Sequence, residues 1–215
     1  MVARALLLAA LALAGCAGPG ASRRLPLPPP AGESRAGARE ERRADPAIAS
    51  APARPARPEV ARAVEVASSL VGRRDIVIGG RDYGDDCAAL VRAALDRAGR
   101  PVPPEARDAA SLYALAYGRG LLRTGIRAQP GDLIFLADRP GGAPVHVGLV
   151  ARVEPDGTAL VLHRVARGVM RLRVNLGYPG RIADPATGKR LNDTLAVGAA
   201  ALPAGSLVVA VAAPP

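Results

Sequence analysis

The sequence predicts an α+β domain in which helices come first and a mostly antiparallel sheet of about five to six strands follows. Two observations lead to this order. Apolar residues recur at helical spacing between residues 59 and 117, whereas short β-rich segments alternate with turn residues from residue 133 onward. Helices followed by strands with short connections are typical of the α+β class, and 215 residues suffice for one such domain with attachments.

The composition restricts which residue types can form the core and which classes of partner the protein can bind. Aromatic residues make up only 2% of the chain, so its core must consist mainly of Leu, Val and Ile. The formal net charge is +10, but the arginines are scattered among Ala, Pro and Gly and do not alternate with aromatic residues. Nucleic-acid binding by stacking and phosphate contacts would need that alternation, so we expect no nucleic-acid partner.

The first 15 residues are predicted to be a lipoprotein signal peptide. A short basic start precedes an apolar stretch, Ala5 to Ala14, that is too short to span a bilayer. Leu13-Ala14-Gly15-Cys16 resembles the lipobox of bacterial lipoproteins, which implies that Cys16 carries a lipid and anchors the protein to a membrane of the cell envelope. Ala17 after the cysteine favours the periplasmic face of the outer membrane. The alternative is a secretory signal with an incidental cysteine.

Residues 16–58 are predicted to be a disordered tether that begins at the lipid-attachment cysteine. This segment is rich in Pro, Arg and Ala and has almost no aliphatic periodicity. Proline-rich pieces favour extended polyproline conformations, so the segment can hold a domain away from a membrane. The folded domain is therefore expected over residues 59–215.

Three helices are expected at the start of this domain, over residues 59–71, 86–98 and 107–117, and each ends near a glycine. Cys87 falls in the first turn of the second helix. The unpaired N–H groups and partial positive charge of a helix N-terminus stabilise a thiolate, which favours a nucleophile. Cys87 also lies on the apolar stripe of that helix, so a buried, inert thiol is the alternative.

The strands contain both histidines of the chain. We expect strands over residues 133–136, 145–153, 160–165, 169–176 and 207–211, with His146 and His163 on neighbouring strands. A two-residue turn between these strands would place both side chains on one face. The turn Pro155-Asp156-Gly157 favours a three-residue loop, which places them on opposite faces unless a second bulge intervenes.

Four motifs together resemble the NlpC-type cell-wall cysteine peptidases. In order they are Asp86-Cys87-Ala88-Ala89-Leu90-Val91, Pro130-Gly131-Asp132-Leu133-Ile134-Phe135, His146-Val147-Gly148-Leu149 and Leu162-His163. The resemblance spans roughly residues 60–211 and implies a papain-like α+β fold that hydrolyses peptidoglycan stem peptides. It further implies that Cys87 is the nucleophile, His146 the general base and His163 the polar third residue. Neither a cofactor nor a metal is expected, because two histidines and one cysteine form a poor zinc site.

The chain departs from the family pattern near the substrate side. Members usually carry Tyr, often with Trp, where this chain has Ile76 to Gly80, so Tyr83 and Asp86 are the candidate substrate-binding residues. Asp86 is also well placed to cap the second helix. These departures leave open an amidase, an acyltransferase, or a vestigial wall-binding or scaffolding lipoprotein, and an activating partner protein is left open too. Along the later strands, arginines at positions 164, 167, 171 and 173 could contact carboxylates of a stem peptide, but arginines spaced along strands more often form a solvated face, which is the expectation here.

Overall fold

The computed structural model describes residues 57–125 and 127–215. The predicted signal peptide, Cys16 and all of the predicted tether up to residue 56 therefore lie outside the described residues. No helix within the described part of the chain is both long enough and apolar enough to cross a membrane.

Three helices and nine strands make up the described fold. In chain order they are α1 (Pro58–Ser69), β1 (Val77–Ile78), β2 (Arg81–Asp82), α2 (Ala89–Arg97), α3 (Ala109–Gly118), β3 (Leu133–Ala137), β4 (Pro144–Val153), β5 (Thr158–Val165), β6 (Gly168–Asn175), β7 (Thr194–Val197), β8 (Ala200–Pro203) and β9 (Val208–Ala212). A 3₁₀ turn, Ala204–Leu207, links β8 to β9. The predicted α+β order, helices before sheet, is confirmed.

The helices begin where local chemistry allows them to. α1 starts with Pro58 in its first turn, a position where the missing N–H of proline costs nothing. α3 carries a capping box, in which the Asp108 carboxylate accepts from the Ser111 amide and the Ser111 hydroxyl accepts from the Asp108 amide. α2 begins at Ala89, later than predicted, so Cys87 lies in the turn before the helix and not in its first turn.

Five strands form one fully antiparallel sheet in the order β6-β5-β4-β3-β9. This arrangement matches the five predicted strands. Two separate hairpins, β1–β2 and β7–β8, were not predicted from the sequence.

The sheet buries both of its faces. We call the side covered by the helices the helix face and the other side the outer face. Alternation along β3 illustrates the division, since Phe135 packs with the helices and Leu136 packs on the outer face. Side chains from the 3₁₀ turn and from β7–β8 complete the outer layer. Its buried members include Ile134, Leu136, Val150, Val161, Leu172 and Leu207.

The segment from Leu176 to Leu207 is fixed to the sheet by two buried asparagines. The Asn192 Oδ1 accepts from the amides of Asn175 and Gly205, at 2.8 and 3.0 Å, and its Nδ2 donates to the carbonyls of Tyr178 and Arg181. Asn175 and Asn192 are both 0% exposed. Because every polar atom of the Asn192 side chain is bonded, burial of this amide carries little penalty and holds the outer layer in one position.

Both edges of the sheet meet short neighbouring segments. At β6, the amide of Gly72 donates to Val169 O and the amide of Val169 donates to Arg73 O, each at 2.8 Å. At β9, the amide of Arg123 donates to Val211 O at 2.8 Å. Single bridges, Val71 with Val169 and Leu122 with Ala212, mark these contacts.

Candidate active site

The β4–β5 hairpin places His146 and His163 on the same face of the sheet. Its loop has the three residues expected, because the Glu154 amide donates to Thr158 O at 2.9 Å and Gly157 has a φ of 82°. A bulge in β4 brings the two histidines back to the same face. The register shifts between Val150 and Arg152, so Ala151 is an extra residue on β4, and beyond this bulge Gly148 faces His163.

The two imidazoles form a hydrogen-bonded pair. His146 Nε2 and His163 Nδ1 are 2.8 Å apart, and the rings are nearly perpendicular, at 88°. Burial lowers the pKa of His146. Burial, and then the charge of His146, lowers the pKa of His163 to about 4. Both rings are therefore neutral at neutral pH.

The hydrogen bond links the tautomer of His146 to that of His163. A neutral imidazole has one donor and one acceptor nitrogen. If His146 Nε2 carries the hydrogen and donates to His163 Nδ1, then Nδ1 of His146 is the acceptor. His163 can therefore fix the tautomer that a general base needs, as the third member of a catalytic triad does.

The imidazole pair lines a groove of about 450 Å³ on the outer face. His146 is paired with Leu136, which belongs to the outer layer. The opposite wall is the β7–β8 hairpin, which sequence reasoning missed because its strands are short and weakly alternating. The groove lining comprises Leu136, Ala137, Asp138, Val145, His146, His163, Val165, Leu195, Ala196, Val197, Gly198 and Leu207.

Cys87 contacts the backbone of β4 from the helix face. Its thiol donates to the Val145 carbonyl at an Sγ–O distance of 3.7 Å, and its side chain packs against the helix-side core. Burial raises the pKa of this thiol, and the nearby Asp86 charge adds to the rise. The backbone amides of Val147, Ala109 and Cys87 itself offset part of the rise.

The strand β4 runs between the thiol and the imidazole pair. Val147 belongs to the helix-side core together with the packing partners of Cys87, whereas His146 faces the outer layer. In the described part of the chain, the only hydrogen bond from the Cys87 side chain goes to Val145 O and none goes to an imidazole. The structure thus brings His146 and His163 together and places Cys87 beside the same strand, without a thiol–imidazole contact.

Arg92 holds the loop that carries Cys87. Its guanidinium donates to the Asp86 carboxylate at 2.8 Å and to the carbonyls of Tyr83 and Arg107. Two chain segments, the loop after β2 and the loop before α3, therefore meet at one side chain of α2. Sequence reasoning missed this residue, because an arginine on a helix gives no local sign of its distant partners.

The two candidate substrate-binding residues have structural partners of their own. Tyr83 is 7% exposed and its hydroxyl donates to the Asp96 carboxylate, which joins the β1–β2 hairpin to α2. The Asp86 carboxylate accepts from the Ala88 amide at 2.7 Å and pairs with Arg92. It therefore caps the turn before α2 and not the helix itself. A role of either residue in substrate binding stays a prediction.

Metal binding has no structural support in the described ranges. Within residues 57–125 and 127–215, no group of three or more His, Cys, Asp or Glu side chains is placed to hold a metal ion.

Comparison with known proteins identifies the family. The family model described as the NlpC/P60 family matches residues 74–181, half of the chain. A solved structure, a protein similar to lipoprotein of the NLP/P60 family from Staphylococcus aureus, is 24% identical with a TM-score of 0.35, and the match covers 53% of this chain but only 36% of that one. No curated protein matches the chain. The order of helices and antiparallel sheet agrees with the papain-like α+β fold, and the chain belongs to the NlpC/P60 family.

Proposed function

We propose that this protein is a lipid-anchored hydrolase that cleaves amide bonds in peptidoglycan stem peptides. Cys87 is the nucleophile, His146 the general base and His163 the residue that positions His146. The observation that carries the proposal is the 2.8 Å hydrogen bond between the two imidazoles. With Nε2 of His146 as the donor in this bond, its Nδ1 is the acceptor that a general base needs. Family membership supports the reaction class.

The reaction follows from the proton positions. Nδ1 of His146 takes the thiol proton, and the resulting thiolate attacks the carbonyl carbon of the amide. The tetrahedral intermediate collapses to a thioester as the C–N bond breaks, and the leaving amine takes the proton from His146. Water then hydrolyses the thioester and regenerates the thiol. The backbone N–H groups of Cys87, Ala109 and Val147 lower the pKa of the thiol, and we assign them as the donors to the oxyanion.

This mechanism requires the imidazole of His146 to reach the thiol around the end of β4. The strand begins at Pro144, and Val145, whose carbonyl accepts from the thiol, is 52% exposed. Few packing contacts therefore hold this end in place, and a local movement there is less costly than one within the buried part of β4. This local movement of β4 precedes proton transfer.

Mass spectrometry of peptidoglycan fragments provides the test. The full chain, purified in detergent, is incubated with fragments beside its Cys87→Ala and His146→Ala variants. We expect new stem-peptide products from the parent protein that are absent from both variants, and their masses identify the bond that is cut. A folded parent protein that releases no products would argue against the hydrolase.

A second candidate is a peptidoglycan-binding lipoprotein without catalysis. Two observations favour it, namely the thiol bonded to Val145 O and the raised pKa of that thiol. An un-ionised cysteine without an imidazole partner is a poor nucleophile. Co-sedimentation with purified sacculi separates the candidates: binding without product release supports the binding protein, whereas turnover supports the hydrolase.

We also propose that Cys16 carries a lipid and that the protein lies in the bacterial envelope, on the periplasmic face of the outer membrane. The support is the Leu13-Ala14-Gly15-Cys16 motif with Ala17 after it. Metabolic labelling with an alkyne fatty acid is expected to mark the parent protein and the Cys87→Ala variant, but not Cys16→Ala. Label on Cys16→Ala would contradict the assignment.

A further inference from the structure

Five arginines gather at the β6 edge of the sheet. Arg73 and Arg74 lie in the loop after α1. Arg164 is the last but one residue of β5, Arg167 lies in the β5–β6 turn, and Arg171 is on β6. We call these five residues the arginine edge.

Backbone contacts bring the loop and the hairpin together. Val169, the cross-strand partner of Arg164, donates its amide to Arg73 O at 2.8 Å. The neighbouring Gly168 has a φ of 118°, and a Cβ at this position would lie 2.6 Å from Arg73 O. Only glycine permits this approach, so the loop is held against the hairpin by geometry specific to this position.

The arginine edge has no acidic partners in the described structure. None of its five side chains forms an ion pair or hydrogen bond with another described residue. Arg173, on the same strand as Arg171, differs because it pairs with Asp193 at 3.7 Å. Asp75, the acid closest in sequence to Arg73 and Arg74, forms no ion pair with them.

Arg164 carries the strongest sign of a missing ligand. Its Nε is buried and has no hydrogen-bond partner. An unpaired buried donor is costly, and native structures seldom leave a guanidinium nitrogen in that state without a reason. The other four arginines are exposed, so Arg164 is the inner member of the group.

Arg164 also lies on the same face of the sheet as Cys87. Alternation along β5 places Arg164 with Leu162, which belongs to the helix-side core, and opposite in direction to His163. Gly148 on β4 pairs with His163 on β5. The next residue toward the start of β4 is Val147, and the next residue toward the end of β5 is Arg164. The Val147 amide acts on the Cys87 thiol. The unpaired guanidinium is thus on the thiol side of the same hairpin.

We propose that the arginine edge binds carboxylate groups of the peptide substrate, with Arg164 as the principal contact, and so makes the site selective for acidic peptides. This inference rests on the proposed function, because the substrate of an amide hydrolase is the source of the carboxylates. A planar guanidinium matches a carboxylate with two parallel N–H···O bonds, and the surrounding arginines raise the local concentration of anions.

Binding to a substrate mimic tests the proposal without requiring turnover. The full chain with Cys87→Ala is titrated with a synthetic tetrapeptide that has free side-chain and terminal carboxylates, and with its fully amidated counterpart. We expect the free peptide to bind about tenfold or more tightly than the amidated one. Adding Arg164→Gln should reduce this preference to about threefold or less. Arg171→Gln should cause a smaller reduction.

The matched control is Arg119→Gln, which removes the same charge from an exposed arginine at the far end of α3. It should leave the preference unchanged, and thermal melting of each variant establishes that it is folded. Equal binding of the two peptides by the parent, or an unchanged preference in both folded Arg164→Gln and folded Arg171→Gln, would overturn the inference.

Failure of this inference is distinguishable from failure of the proposed function. Hydrolysis without any preference for carboxylates removes the arginine edge from substrate recognition and leaves the hydrolase intact. Selective binding of the acidic peptide by a protein that cuts nothing supports the arginine edge and contradicts the hydrolase.

Discussion

The two faces of β4 differ in what they offer to a reaction. On the outer face, two imidazoles are bonded to each other and line an open groove. On the helix face, a half-buried thiol is bonded to a backbone carbonyl among alanines and leucines. Burial acts on both faces in the same way, because it raises the pKa of the thiol and lowers the pKa of the imidazoles. Every candidate catalytic group is therefore held neutral.

This difference shows that the nucleophile and the base lie in separate environments on opposite faces of β4. A thiolate–imidazolium pair gains its stability from contact between two charges, and neither charge is favoured while a strand runs between the groups. The site as it stands is a resting arrangement, and its activity depends on bringing the two faces together at the exposed end of β4.

The largest effect is expected on the outer face. If His146 is the base, His146→Ala should lower turnover of peptidoglycan fragments by about 10³-fold or more, and His163→Ala by about 10²-fold. His163→Asn retains a side chain that can hydrogen-bond His146 and should recover part of the loss. Rates are measured by product release at substrate saturation. Turnover unaffected by His146→Ala would show that the thiol reacts without the His146 imidazole as its base.

The wall of the groove depends on Asn192. Asn192→Ala leaves the amides of Asn175 and Gly205 and two carbonyls without partners, so we expect a loss of about 3 kcal/mol in the free energy of unfolding. Urea denaturation measures it. Thr194→Ala, at an exposed position of β7, is the control and should change stability by less than about 0.5 kcal/mol. A similar loss of unfolding free energy in both variants would show that Asn192 does not hold the groove wall in place.

The buried imidazole makes stability depend on pH. The pKa of His163 is about 4 in the folded protein and close to 6.5 in the unfolded chain. Between these values the unfolded chain binds more protons, so stability is lost as pH falls from about 6.5 to 4. We expect His163→Gln to remove about 2 kcal/mol of the difference in unfolding free energy between pH 7 and pH 5. An equal pH dependence in the two proteins would mean that His163 titrates normally.

The smallest effect is expected on the helix face. Because burial raises the pKa of the Cys87 thiol, its alkylation by iodoacetamide should rise about tenfold per pH unit from pH 6 to 8. Intact-mass measurements give the rate, with Cys87→Ala as the blank. A rate that is constant over this range would reveal a thiolate, and hence a thiol–imidazole contact that already exists in solution.

Helices and strands with a regular apolar period can be predicted from the sequence, whereas short or irregular elements cannot. Apolar periodicity identifies the three helices and five strands because each buries one regular face. It does not reveal β7–β8, whose short strands are half exposed, nor the start of α2 at Ala89, since Asp86 bonds the Ala88 amide just outside the helix.

In the candidate site, too, some features can be predicted from the sequence and others cannot. The residue types and their order point to Cys87, His146 and His163, and the three-residue turn correctly predicts that a second bulge is needed to align the histidines. The position of that bulge at Ala151 leaves no mark in the sequence, because the residue is neither Gly nor Pro, the usual sequence signs of an interrupted strand. The face on which Cys87 meets β4 depends on the packing of α2, which local patterns do not encode.

The bridges at the two sheet edges limit how an extended ligand can attach. Many peptide-binding domains hold their ligand as an additional strand, through the free N–H and C=O groups of an edge. Here both the amide and the carbonyl of Val169 on β6 are already bonded to residues 72 and 73, and the carbonyl of Val211 on β9 is bonded to Arg123. A peptide therefore finds these edge positions occupied. At these positions a ligand can be recognised only through side chains, which distinguish its chemical identity, whereas main-chain pairing requires only an extended backbone.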